Sequence, residues 1–393
     1  MRRHDTGSAQ EVVVVRIVVV TETYPPEVNG VALTVQGLVT QMAAAGHDLE
    51  LYRPRQPGLD PPPPRERIRE TLLPDVRLPR YPELRFGLPA GALLRQRFRE
   101  RRPDAIYVAT EGPLGWSAVA AARKLGIPVA TGFHTRFDAY AGAYGLGLLE
   151  PVVRWWLRRL HNAAGATIVP TPELRTWLEQ QGFRRVLVLG RGVDTALFSP
   201  AQRDPQLRAS WGLGEDGLAV IHVGRMAAEK NLPLAIEAFR HIRIRQPGSR
   251  LILVGDGPLL PELRRAHPDI QFAGVRHGVE LARYFASADL FLFPSLTETF
   301  GNVTLEAMAS GVPTVAFDYG AAHEHLRNEF HGRVLPRGDG RGFINAAATL
   351  ARDAPTRRAM AAAARVAALR LRPEEVTRQF VGLLARVPVM VPA

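Results

Sequence analysis

Cysteine is absent from the 393 residues, which excludes disulfides and thiolate-held metals. No apolar stretch approaches the ~20 residues that a bilayer-spanning helix needs. The longest early run, Val12 to Val20, is broken by Arg16 and has no small-residue cleavage site after it, so neither a membrane span nor a signal peptide is expected. No Asp-x-Asp triplet occurs, which leaves a metal ion bridging a diphosphate without evident ligands. The loop after the first apolar run is not G-x-G-x-x-G, so a nicotinamide cofactor is not indicated. No module interleaving aromatic and basic side chains for nucleic acid is visible. Negative charge is the scarcer sign: Asp and Glu total 38 against 50 Lys and Arg, a formal balance of +12. That excess points to an anionic partner, either a nucleotide, a nucleic acid or an acidic lipid surface. The length suggests two or three domains.

What is present centres on the stretch Pro294 to Pro313. Leu290 to Phe293 reads as a buried parallel strand, Val303 to Ser310 as a helix stopped by Gly311 and Pro313, and Thr314 to Phe317 as the next strand. Glu298 sits in the loop at the strand's carboxyl end and Glu306 on the helix. Gly301 lets the backbone approach a ligand, and the helix start beyond it offers unpaired N–H groups to an anion. A bare pair of glutamates at this spacing would be unremarkable. In this setting Glu298 and Glu306 resemble the E-x7-E motif of retaining glycosyltransferases of family 4. The resemblance implies the GT-B fold: two Rossmann-like, doubly wound α/β domains facing across a cleft. It also implies that Glu298 holds sugar hydroxyls, that Glu306 holds ribose hydroxyls, and that Phe300, Gly301, Asn302 and Val303 lie along the donor.

Other segments extend the likeness over nearly the whole chain. Glu11 to Val20 reads as the first strand, Thr21 to Gly30 as a loop, and Val31 to Ala45 as a helix. The resemblance puts Asn29 and Gly30 against the donor diphosphate and Tyr24 on the acceptor side; by residues alone, a plain tight turn into a helix is the preferred reading. Pro54 to Arg67 reads as a rim loop, extended over Pro61 to Pro64. Arg95, Arg97, Arg99, Arg101 and Arg102 form either a solvated helix face or a surface for anionic lipid, where each charge contributes ~1 kcal/mol. After a strand at Ile127 to Thr131 comes Gly132 to Asp138. His134 there matches the family's donor-sugar contact, with Arg136 and Asp138 toward the acceptor. Pro151 to Asn162 combines Trp155 and Trp156 with Arg154, Arg158 and Arg159; this suits an interfacial helix or one packing its aromatic face on a sheet, and packing is the preferred reading.

Gly190 to Pro200 resembles the family's G-V-D-x-x-x-F-x-P interdomain hinge. Gly224, Arg225 and Lys230 resemble its G-R-x4-K segment, in which the two cations neutralise the leaving nucleoside diphosphate. Gly255 to Pro258 resembles a G-x-G-P turn, where Gly255 either approaches the nucleotide or only shapes the turn. At Val275 and Arg276 the family's backbone reads the base edge, which leaves guanine and uracil undistinguished. A helix from Pro373 is expected to return to the first domain. The resulting division is a tail (1–10), an acceptor domain (11–195), a donor domain (196–371) and the returning helix (372–393).

The expected function is metal-independent, retaining transfer of a hexose, best matched by mannose from GDP-mannose, to a hydroxyl of a lipid or glycolipid acceptor. UDP-glucose, UDP-glucuronate or UDP-sulfoquinovose as donor to diacylglycerol is the alternative. Readings from other classes are a non-catalytic sugar-nucleotide binder and an epimerase on the same fold. No cofactor and no nucleic acid are expected, and the location is cytoplasmic or peripheral on the inner face of the cell membrane.

Overall fold

The computed structural model describes residues 15–27, 29–55, 65–78, 81–134 and 150–390. Its first sheet has seven parallel strands in the order β3 (Ile68–Leu73), β2 (Asp48–Pro54), β1 (Arg16–Val20), β6 (Ala105–Val108), β7 (Val129–Gly132), β8 (Ala166–Val169) and β9 (Val186–Val188). The second has six, ordered β12 (Gln271–Gly274), β11 (Arg250–Val254), β10 (Ala219–Val223), β13 (Leu290–Phe293), β14 (Thr314–Phe317) and β15 (Gly332–Leu335). A hairpin, β4 (Asp75–Leu78) with β5 (Tyr81–Gly87), stands beside the first sheet. Each large sheet is wound outward in both directions from its first strand. The order reverses between β1 and β6 and again between β10 and β13, and such switch points leave a crevice at the carboxyl ends where ligands bind.

The apolar runs follow from this topology. On β1, Ile17 and Val19 face one core cluster while Val18 and Val20 face another, so both sides of the strand are buried and no polar alternation survives. β3 escaped the sequence reading for the opposite reason. It is an edge strand, Ile-Arg-Glu-Thr-Leu-Leu, with only its end residues buried. The proline-rich part of the expected rim loop, residues 56–64, lies outside the described residues, as do 11–14 of the expected first strand.

The helix Glu150–Ala163 bears out the preference for aromatic packing only in part. It buries Leu157, Leu160 and His161 at helical spacing, while Trp155 and Trp156 remain 50% and 42% exposed. Arg159 lies over the Trp155 ring at 5.5 Å. Trp156 meets the Trp116 ring at 5.1 Å and donates from Nε1 to the Glu111 carbonyl at 3.4 Å, while Trp155 stands half in solvent beside its arginine.

The chain crosses between lobes twice, and the crossings run side by side. Val193 N–H donates to the Leu371 carbonyl at 2.9 Å, and a Cβ on Gly192 would lie 2.7 Å from the nitrogen of Pro373. Arg365 then fastens the first crossing to the second lobe, donating to the carbonyls of Thr195, Phe198 and Ala309 at 2.7–3.0 Å. Beyond the second crossing, the helix Pro373–Leu384 inserts Phe380 and Leu384 into the first lobe's core beside Val35, Val39 and Met42. The Phe380 ring meets Tyr107 edge-on at 4.8 Å.

Candidate active site

The carboxyl ends of β10 and β13 bring Lys230 and Glu298 together. A 3-10 turn, Ala228–Lys230, follows β10, and its Glu229 carbonyl accepts from Leu296 N–H at 2.7 Å and from Ser295 Oγ at 3.3 Å. These bonds hold the loop after β13 against the turn, so Lys230 Nζ reaches the Glu298 carboxylate in a direct ion pair. Ser295 Oγ donates to the same carboxylate oxygen at 2.8 Å. Arg225 leaves the same strand end and is exposed, and its guanidinium makes no hydrogen bond or ion pair among the described residues. Of the two expected cations, one is thus held by a carboxylate and one is free to meet an anion.

The loop from Glu298 onward also touches the first lobe. Thr299 Oγ1 donates to the His134 carbonyl at 2.5 Å, and Asn302 Nδ2 to Thr34 Oγ1 at 3.3 Å. His134 and Glu298, 164 positions apart, consequently face one crevice. The His134 ring is engaged on both sides: Arg191 donates to Nδ1 at 2.9 Å and the Tyr107 hydroxyl lies 2.7 Å from Nε2. Arginine cannot accept, so Nδ1 presents its lone pair and the ring proton sits on Nε2. Burial, together with Arg191 and His161, holds the imidazole pKa well below its ordinary value. His134 is a neutral, fixed group with no vacant nitrogen for a proton. Arg191 was read in the sequence only as part of the hinge; nothing in its spacing revealed a bond to a residue 57 positions earlier. Replacing Arg191 with glutamine should raise the His134 pKa while leaving it below its ordinary ~6.5, because burial, the larger cause, remains; NMR titration of the ring follows the change. A ring that already titrates near that value in the unaltered protein contradicts the arrangement.

Glu306 projects from the helix Asn302–Ala309. Its Oε2 is shielded from solvent and has no hydrogen-bond partner among the described residues, and burial pushes its pKa up from 4.5 to about 7. A buried carboxylate lacking donors is a ready acceptor for hydroxyls. Gly301, at φ +92°, caps this helix, where a Cβ would press on the Phe293 ring at 3.3 Å. Phe300 is buried against the His325 ring and Val303 packs into the second core, so these two support the loop with their side chains. Gly224 N–H donates to Val254, and Gly255 N–H to Gly274, which ties three strand-end loops together. A Cβ on Gly255 would stand 1.9 Å from the Gly224 carbonyl oxygen, so this glycine shapes the turn. Beyond it Val275 is exposed and Arg276 half-buried, its guanidinium over the Tyr284 ring at 5.4 Å.

On the first lobe, Asn29 caps the helix Gly30–Ala44, its Oδ1 accepting from Ala32 N–H at 2.8 Å, and Gly30 has open space where a Cβ would project. Tyr24 does not line the crevice. It is 2% exposed and packs in the first lobe's core with Arg53 over its ring, a correction to its expected acceptor role. Arg136 and Asp138 lie outside the described residues. Glu22 was passed over in the sequence, where Tyr24, Asn29 and Gly30 were the residues singled out of its loop. Its carboxylate accepts from Leu114 N–H at 3.0 Å and Gly115 N–H at 3.4 Å, at the start of the helix Pro113–Leu125, and from Gly87 N–H. It thereby anchors the end of β1 to a helix N-terminus, where negative charge is favoured.

No group of three or more His, Asp or Glu side chains suited to a metal occurs among the described residues. Nor is any described helix long and apolar enough to cross a membrane.

Comparison with known proteins gives this geometry a family. Residues 28–197 match the model "Glycosyltransferase Family 4" and residues 217–353 match "Glycosyl transferases group 1". A GDP-mannose-dependent alpha-mannosyltransferase of Mycobacterium tuberculosis is 33% identical over 83% of this chain and 85% of its own. An alpha-monoglucosyldiacylglycerol synthase of Streptococcus pneumoniae is 26% identical over 77% of this chain and 70% of its own. Among solved structures, Anabaena Alr3699/HepE in complex with UDP superposes with a TM-score of 0.75 at 20% identity, covering 94% of this chain and 99% of that one. Two parallel-sheet lobes, with the Lys230–Glu298 ion pair at the switch point of the second, belong here to a glycosyltransferase of family 4 with the GT-B fold.

Proposed function

We propose that this enzyme moves mannose from GDP-mannose to a hydroxyl of a lipid-type acceptor, with retention of configuration and without a metal ion. The observation that carries the reading is the unpaired Arg225 beside the Lys230–Glu298 pair at the switch point of the second sheet. Transfer breaks the bond from the anomeric carbon to phosphate, so negative charge grows on the diphosphate as the sugar becomes cationic. Arg225 meets that charge directly, and Lys230 turns to it as Glu298 takes up sugar hydroxyls. Glu306 accepts from the ribose hydroxyls. His134, neutral and occupied at both nitrogens, holds the crevice wall beside the sugar through its carbonyl's bond to Thr299 and takes no proton. The acceptor attacks from the leaving-group face. Its hydroxyl proton passes to the departing phosphate oxygen as the new glycosidic bond forms.

In this reading residues 11–195 serve the acceptor, 196–371 the donor, and 372–393 brace the first lobe. Mannose is favoured by the 33% identical relative, and a lipid acceptor by the diacylglycerol product in the pneumococcal relative's name. Exposed Trp155 and Trp156 beside arginines suit peripheral contact with an acidic bilayer. A second reading, a UDP-sugar diacylglycerol transferase, draws on the solved neighbour that holds UDP. Incubation with lipid extract and either GDP-mannose, UDP-glucose or UDP-glucuronate separates them. Release of GDP with a new glycolipid is the expected result. Release of UDP transfers the assignment to the second reading, and no uptake of any sugar nucleotide removes both.

A further inference from the structure

The opposite end of the first sheet carries a feature that glycosyl transfer does not use. The amino ends of β1, β2 and β3 border a groove lined by Arg16, Arg65, Arg67, Arg69 and Arg101. Two carboxylates, Asp48 and Glu50, also line it, which leaves three positive charges in excess. Both acids already have a cation beside them: Asp48 lies 3.7 Å from Arg67, and Glu50 lies 3.3 Å from Arg101 and accepts at Oε2 from the Tyr52 hydroxyl at 3.0 Å, its Oε1 making no hydrogen bond among the described residues. Meanwhile Arg16 Nε and Arg101 Nη1 are shielded from water and have no acceptor among the described residues. Donors in that condition are costly to leave unmatched, and an oxyanion supplies what they lack.

The cavity measures about 180 Å³. That is well above the ~30 Å³ share of one water and below the ~300 Å³ where pockets for drug-sized ligands begin. It has room for phosphate or pyrophosphate but not for a nucleotide. Five residues of β1 at ~3.3 Å each separate it from the crevice, roughly 16 Å in all, so it is not an arm of the active site. The helix Gly91–Glu100 adds exposed Arg97 and Arg99 on the approach to Arg101, which extends the positive field outward.

We propose that this groove is a separate binding site for a phosphate-bearing group, held by the forked donors of its arginines. The group comes either from a soluble phosphorylated compound or from a phospholipid headgroup, and the test distinguishes the two. Pyrophosphate is titrated calorimetrically into the full chain, into Arg69→Glu and Arg16→Gln in the groove, and into Arg225→Ala in the crevice. Two classes of pyrophosphate site are expected. One is weakened about tenfold or more by each groove variant and spared by Arg225→Ala, while the other responds to Arg225→Ala alone. Arg69 is exposed at the rim, so its variant keeps the test valid should Arg16→Gln misfold. Co-sedimentation with phosphatidylglycerol vesicles, against phosphatidylcholine controls, then names the source. Loss of vesicle binding in Arg69→Glu assigns a lipid headgroup, and unchanged vesicle binding assigns a soluble ligand. A single class of site, lost in Arg225→Ala and untouched by Arg69→Glu, overturns the proposal, as does no pyrophosphate binding at all.

Discussion

Lys230→Ala should lower kcat at least about a hundredfold while the protein melts where it did before. The ammonium contacts the Glu298 carboxylate and lies 5.8 Å from the centre of the Phe293 ring, at a loop junction rather than in either core. Removing it leaves Glu298 with its bond from Ser295 Oγ, so the loop keeps a partner and the fold has little reason to fail. Catalysis differs, because the leaving diphosphate gains charge only as the bond breaks. A fixed cation is therefore worth more in the transition state than in the bound ground state, and one such donor is worth ~3–4 kcal/mol. The loss should appear chiefly in kcat, with KM for the donor changed much less, because Arg225 still binds the ground-state diphosphate. Single-turnover rates beside thermal melts check this. Near-normal turnover removes Lys230 from the leaving-group clamp.

Glu306→Gln should make the protein more stable at pH 8 and poorer at binding the donor. The carboxyl's pKa is raised from 4.5 to about 7 in the folded state by burial. Below 4.5 both folded and unfolded forms are protonated and the buried neutral acid is tolerated. As pH rises through about 7 the folded protein must carry a buried charge that the unfolded chain keeps in water, and the stability is lost. A shift of this size corresponds to roughly 3 kcal/mol at most. Glutamine has no charge to bury, so the variant's melting temperature should exceed the parent's at pH 8 and match it near pH 4. Glu22, also raised to about 7 by burial, contributes the same slope in both proteins. Donor affinity runs the other way, since ribose hydroxyls donate better to a carboxylate than to an amide. The parent should bind GDP more tightly at pH 8 than at pH 6, and the variant should bind about tenfold more weakly at pH 8 with little pH dependence. An equal melting temperature for both proteins at pH 8, or a parent whose GDP affinity ignores pH, contradicts the placement of Glu306.

Much of this site could be read from the chain because its parts are local. The Glu298 loop, the helix bearing Glu306 and the turn with Arg225 and Lys230 each lie within one strand-loop-helix unit, where spacing fixes position. β13 and β14 fell at the expected bounds for the same reason. What could not be read was contact between distant segments. Arg191 meets His134 only because the hinge passes the end of β7, and Glu22 finds its helix N-terminus 92 positions later. Tyr24 looked like a loop residue, yet the return of the chain through β2 and β3 covers it. Trp155 and Trp156 could not be told apart because composition says nothing of which helix face a tryptophan occupies: Trp156 meets Trp116, and Trp155 meets solvent. Edge strand β3 lacked the apolar run that marked its neighbours.

The two interlobe crossings carry a mechanical consequence. With Gly192 against Pro373 and Arg365 fastening the chain from Thr195 onward, little free backbone remains between the lobes. Adjacent pins leave a door one axis to swing on, and sideways shear or twist would tear at both strands together. Substrate entry should therefore separate Thr299 from His134 and Asn302 from Thr34 along a common arc, widest at the far lip and almost motionless at Val193.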